Sequence, residues 1–190
     1  MQTLKSLDVA TAQGKTKELF NTIEKRVGRV PAMIRVMGNS PSVLDAYLHF
    51  NEVLDQSNTT LKLRCLISTL VSEINGCQYT LATSFAFGRR AGLSDDELNQ
   101  AQKAESGDPK TAAALQFAAK VVKERGSVSP NDVKNLQAAG YSDQDVVEIV
   151  GVVALNILRN YFNLVAGTEV DFPSAKTNSA ANQSSVKQSA

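Results

Sequence analysis

Tryptophan is absent from this sequence, histidine occurs once and cysteine only twice. Two cysteines cannot make the multi-bridge framework of a small secreted domain. A single histidine, His49, leaves no group of imidazoles from which to build a metal centre, and no metal or cofactor is expected. An excess of charge of either sign is missing as well, with 20 Lys and Arg against 19 Asp and Glu. A sequence-independent nucleic-acid binder carries a basic excess or stripe, so no nucleic-acid partner is expected. Long apolar runs are also lacking. The most apolar stretch, residues 149–158, is about ten residues, against the roughly 20 that cross a bilayer, and no membrane segment is expected. The opening residues MQTLKSLD have no signal-peptide apolar core, so a cytoplasmic location is expected.

What is present is helix punctuation, repeated along most of the 190 residues. Ser40 and Pro41 supply a cap and a first-turn proline ahead of Val43, Leu44, Tyr47, Leu48, Val53 and Leu54 at helical spacing. Thr59 or Thr60 can cap the next helix, which should stop at Asn75-Gly76. A further helix then starts at about Cys77 and runs to Ala91-Gly92. Ser94 with Glu97 reads as a capping box, and Ser142, with Asp145 at its third position, opens a later helix. Asp108-Pro109 and Ser129-Pro130 open two more helices, and the last and most apolar helix should end near Gly167. Strand signals of comparable strength are missing, so the fold class is all-α. Residues 1–173 read as one helical domain. Residues 174–190 are Ser, Asn, Gln, Ala and Lys with one Val186, too polar to bury a core, and read as a disordered tail.

One segment suggests chemistry: VSEINGCQYTLATS, residues 71–84. A thiol in the first turn of a helix sits near unpaired N–H groups and the positive end of the dipole, which favours the thiolate. In a redox dithiol the second cysteine would stand three residues on, at the position of Thr80. The segment resembles the active-site helix pair of the carboxymuconolactone decarboxylase superfamily, in particular its AhpD-like alkylhydroperoxidase branch. VPAMIRVMGNSPSVL (30–44), GRRAGLSDDEL (88–98), AGYSD (139–143), ALNILRNYFN (154–163) and EVDFP (169–173) are similar to neighbouring parts of that family. The resemblance covers about residues 15–173 and implies an AhpD-like, carboxymuconolactone decarboxylase-like helical bundle.

It also implies thiol-dependent reduction of peroxides, an antioxidant oxidoreductase with peroxiredoxin-type activity, carried by a Glu, a Cys-x-x-Cys and a His. Carried over by position, the first Cys matches Cys77, the candidate redox thiol. The second Cys falls on Thr80, the His on Ser84 and the Glu on Cys65. Without a thiol at 80, a sulfenic acid on Cys77 has no local partner with which to close a disulfide. Without His or Glu, nothing nearby activates the thiol or protonates the leaving oxygen. The decarboxylase branch leans on the same His position. Enzyme or not is therefore left open: the fold is that of a peroxidase family and the catalytic set is incomplete. The alternative is a ligand- or partner-binding scaffold without turnover. The resemblance further implies a homo-oligomer, trimer or hexamer, and an external thiol reductant if Cys77 does turn over.

Other residues have two readings each. Cys77 is either a reactive thiol or a buried, inert one. Cys65 lies eleven residues before Gly76, about 16 Å along a helix, nearer the level of Ser84 or Phe87 than of Cys77 in an antiparallel pair. A Cys65–Cys77 bond would need a steep helix crossing, and core filling is the simpler role for Cys65. Tyr79, Thr80 and Ser84 can supply hydroxyls to a pocket, Tyr79 being the added pocket candidate. His49 reads as a surface residue and Glu73 as an exposed or capping carboxylate. Asn156, Asn160 and Asn163 share one face of the last helix and need hydrogen-bond partners there, between helices or from a ligand. Arg89 and Arg90 suit a solvated helix C-terminus.

Overall fold

The computed structural model describes residues 2–173 and 175. The tail expected over 174–190 lies outside the described residues, Ala175 excepted. Among the described residues there are nine helices and no strand: α1 (Gly14–Val27), α2 (Ala32–Met37), α3 (Pro41–Asp55), α4 (Leu61–Ile74), α5 (Gln78–Arg90), α6 (Asp95–Ala101), α7 (Pro109–Lys123), α8 (Pro130–Ala138) and α9 (Asp143–Ala166).

The starts of these helices follow from short-range chemistry. Ser40, Thr60 and Asp108 each accept a backbone N–H three residues on, opening α3, α4 and α7. Ser94–Glu97, Ser129–Asp132 and Ser142–Asp145 form reciprocal capping boxes at α6, α8 and α9. Each such cap is worth about 1 kcal/mol. Thr59 takes a different role: its hydroxyl donates to Glu148 and ties the start of α4 to α9.

At the centre lies the α4–α5 hairpin. Eight consecutive residues of α4, Cys65 to Ser72, are buried, as expected of a helix covered on every side. Helices α5, α6, α7 and α9 pack around it, and α9 also touches α3, α7 and α8. Phe20, Leu44, Ile67, Leu115 and Ile149 are fully buried in one continuous core; burying each stabilises by roughly 1.5–3 kcal/mol. The hairpin turn is a Schellman motif. Gly76, at φ +65, donates to Glu73 O, and Cys77 N–H donates to Ser72 O at 2.9 Å. Glycine is needed there because a side chain disfavours a positive φ.

The α9 helix is longer than the ten-residue apolar run within it. It has 24 residues, and an 18-residue window of it reaches a mean hydropathy of 1.5, enough by length and composition alone to cross a membrane. The ten-residue estimate stopped at scattered polar residues that a helix tolerates. In this fold those polar residues, Asn156, Asn160 and Asn163, are buried between helices. Residues near both ends of the described segment fasten to the bundle. Thr3 N–H and Oγ donate to Ala166 O and Val165 O at the end of α9, supplying donors to its orphan carbonyls. Asp171 accepts from Ala32 N–H at 2.9 Å, capping α2 from across the chain, and pairs with Arg29. Arg29 and Tyr79 in turn hold the ring of Phe172.

Candidate functional site

Helices α3, α4, α5 and α9, with α2 and Phe172 as a cover, enclose a cavity of about 480 Å³. Cys65 and Ser68 reach it from α4, Tyr79, Thr83 and Ser84 from α5, and Asn156 and Arg159 from α9. Two of the four positions matched to the family's catalytic set, Cys65 and Ser84, therefore meet at one surface, with Tyr79 beside them. The other two do not. Cys77 and Thr80 are absent from the cavity lining.

Cys77 stands at the N-cap of α5 with 2% of its surface exposed. Its thiol donates to Thr80 Oγ1 at 3.3 Å, and Thr80 also accepts from Asn163 of α9. The helix-start position anticipated for Cys77 is thus correct, but the turn that creates it folds the side chain inward. Both cysteines are free thiols. Ser68 and Ser84 lie 2.6 Å apart, so the hairpin register is antiparallel and Cys65, beyond Ser68, sits well away from the turn that holds Cys77.

The hydroxyls are largely occupied. Ser84 donates to Thr80 O at 2.8 Å, which leaves Ser68 as donor in the Ser68–Ser84 bond, since each hydroxyl has one proton. Thr83 also donates to Thr80 O. Burial pushes the Cys65 thiol above its ordinary range, and the nearby charges of Arg159 and Arg64 only partly oppose this. Desolvation likewise holds the Tyr79 phenol well above its usual range; Met33 N–H, bonded to Tyr79 Oη at 3.1 Å, opposes the rise and Asp171 adds to it. At neutral pH the cavity therefore presents neutral thiol, phenol and hydroxyl groups. No histidine lines the cavity, the one carboxylate in the lining, Asp55, is held by Arg26 at 2.5 Å and Arg64 at 2.7 Å, and Asp171, which acts on Tyr79, is paired with Arg29. Among the described residues no three of His, Cys, Asp and Glu gather where they could hold a metal ion.

The asparagine stripe of α9 is mainly a helix-to-helix device. Asn160, fully buried, accepts from Asn75 and donates to Ser72, and Asn163 donates to Thr80. Asn156 differs: it lines the cavity, and its carbonyl accepts from Arg159 at 3.3 Å. Glu73 accepts from Gln102, and His49 is exposed on α3. Arg89 pairs with Asp95 at the end of α5 as a solvated cation, whereas Arg90 turns to the cavity. Arg159 was not singled out from the sequence. The signal was there: it falls between Val152, Leu155 and Asn156 on the inward face of α9, where a lone charge needs a reason.

Residues 41–124 match the carboxymuconolactone decarboxylase family. Solved structures share the fold over nearly the whole chain. One is a peroxidase-related protein from Ralstonia eutropha described as an alkylhydroperoxidase AhpD core, with TM-score 0.81, 20% identity, and 90% of this chain and 92% of that one covered. A peroxidase-related protein from Silicibacter sp. gives TM-score 0.77 and 22% identity, covering 89% of this chain and 94% of that one. A debrominase, as a cysteine-to-alanine variant in complex with 2,3,4-tribromopyrrole, gives TM-score 0.75 and 19% identity, covering 90% of this chain and 93% of that one. Among curated protein sequences no match is found.

Proposed function

We propose that this chain, whose residues 41–124 match the carboxymuconolactone decarboxylase family, is a member of the carboxymuconolactone decarboxylase/AhpD-like superfamily that binds a small molecule and has lost the two-thiol peroxide chemistry of the AhpD branch. The observation that carries the reading is the separation of Cys77 from the cavity. A peroxidatic thiol must meet its substrate as an accessible thiolate. Cys77 is buried and engaged by Thr80, while the residues that do face the cavity are Cys65 and Ser84, in place of the acid and the imidazole. Cys65 does not take over the role, because burial favours its protonated, weakly nucleophilic form. The cavity volume falls within the range that holds small organic ligands. Small-molecule binding in this fold is further supported by the tribromopyrrole complex of the debrominase.

Assembly into a homo-oligomer is part of the proposal. The outward side of α9 carries Val147, Val150, Leu158, Tyr161, Leu164 and Val165, with exposed Ala154 completing a three- and four-residue spacing, and Val147 and Val165 are 71% and 72% exposed. Such a stripe favours pairing with another apolar helix. A net charge of +1 offers little repulsion between copies. A cytoplasmic setting agrees with two reduced cysteines.

The deciding assay is consumption of hydrogen peroxide and cumene hydroperoxide with dithiothreitol or a thioredoxin-type donor, wild type against Cys77→Ser. The expected result is no turnover above the donor's own background in either protein. Turnover that vanishes in Cys77→Ser would overturn the reading and restore an external-thiol peroxidase.

A further inference from the structure

The cavity carries an unusual charge pattern for a site with so much apolar lining. Four arginines, Arg26, Arg64, Arg90 and Arg159, face it, against the single carboxylate of Asp55. Arg26 and Arg64 are both committed to Asp55. Arg159 is not: among the described residues no carboxylate stands within ion-pair distance of it. Its Nε is buried and has no hydrogen-bond partner. Its one side-chain bond, from Nη1 to Asn156 Oδ1 at 3.3 Å, orients the guanidinium, and Asn156 is itself fixed by donating to Val152 O. Arg159 lines the cavity from α9, which packs against both α4 and α5, and its charge acts on both Cys65 and Tyr79.

A buried cationic donor without an acceptor is costly. The planar fork of a guanidinium matches the two oxygens of a carboxylate. The same cavity has apolar lining from Met33, Ile34, Leu48, Phe87 and Phe172. We propose that the cavity binds a small hydrophobic carboxylic acid as its anion, the carboxylate on the guanidinium of Arg159 and the apolar body against Met33, Leu48, Phe87 and Phe172. Arg90, exposed at the end of α5 and without a carboxylate partner among the described residues, adds positive potential that draws anions inward. The neutral Cys65, Ser68 and Tyr79 groups add no competing negative charge. The inference rests on the reading of this cavity as a binding site and adds the chemical class of what it binds.

The test is calorimetric titration of the full chain at neutral pH with octanoate and with octan-1-ol, which share a chain length and differ in charge. Wild type should bind octanoate more tightly than octan-1-ol by about tenfold or more, the worth of one charge-assisted pair. Arg159→Gln should erase that preference while leaving octan-1-ol binding in place, and Arg159→Lys should restore part of it; circular dichroism checks that each variant is folded. Should Arg159→Gln fail to fold, the comparison of the two probes on wild type still decides the matter. Equal binding of the two probes, a preference that survives Arg159→Gln, or binding of neither would overturn the inference. Equal binding would leave the non-catalytic binding reading standing, whereas that reading falls separately if the peroxide assay shows Cys77-dependent turnover.

Discussion

Thr80→Cys puts a second thiol where the AhpD-like pattern has one, and the structure sets what should follow. Thr80 is fully buried, and its Oγ1 lies 3.3 Å from Cys77 Sγ. A disulfide needs the sulfurs about 2 Å apart, so closure asks for a shift of about 1 Å within the first turn of α5. Reduced, the variant gives up the hydrogen bond from Asn163, at 3.3 Å, and one buried methyl. Together these should cost about 1–2 kcal/mol. Oxidised, it closes a loop of about four residues, which by chain entropy returns about 2 kcal/mol. Equilibrium urea unfolding of the same variant with and without dithiothreitol reads that difference directly, and mass spectrometry after oxidation shows the loss of two hydrogen atoms, which diamide takes up. Oxidation should not by itself confer peroxide turnover, because neither sulfur faces the cavity. Adding Cys65→Glu and Ser84→His supplies the acid and base inside it. Three free thiols persisting after diamide in a folded variant, rather than Cys65 alone, would refute the placement of Cys77 against Thr80. Turnover by Thr80→Cys alone would refute the claim that this pair is sealed off.

Three further outcomes are expected. Asn160→Leu removes the bonds to Ser72 and Asn75 at the α4–α9 contact and should lower unfolding free energy by about 1–3 kcal/mol with an unchanged urea m-value; a change within about 0.5 kcal/mol would contradict the role given to the asparagine stripe. Val165→Glu places a charge on the outer stripe of α9, and light scattering coupled to gel filtration should report a smaller species than wild type; identical masses for the two would count against that face as a subunit contact. The Asp132 carboxyl, held by Lys120 and by the Ser129 cap, is pushed down to about 2 from an ordinary 3.8. Its contribution to stability is therefore present above the ordinary value and lost as pH falls toward about 2, and a carboxyl carbon titration with its midpoint at the ordinary value would show the pairing to be absent.

Much of the fold was legible because helix boundaries are written in contacts only three or four residues long. Ser40, Ser94, Asp108, Ser129 and Ser142 each cap the helix expected of them, since the donor and acceptor are neighbours in the chain. The choice between Thr59 and Thr60 was not legible, because a residue 89 positions away, Glu148, takes Thr59. The membrane-length character of α9 was missed for a related reason: a count of consecutive apolar residues ignores that a helix buries one face and exposes another.

The same division runs through the site. The sequence alone determined which chemical groups are available: one thiol at the start of α5, a hydroxyl where a second thiol would stand, and a thiol and a hydroxyl where an acid and an imidazole would stand. Only the tertiary structure decided where those groups point. The Schellman turn at Gly76 sends Cys77 toward Thr80, while the register of Ser68 against Ser84 carries Cys65 to the cavity wall. Arg159 acquires its meaning only because α9 packs across α4, bringing a guanidinium with no carboxylate partner to the same cavity as Cys65, some ninety residues earlier in the chain. Side-chain identity is a property of one position, but a binding site is a property of helices far apart in sequence. Long-range burial of apolar surface, which is non-directional, brings those helices together.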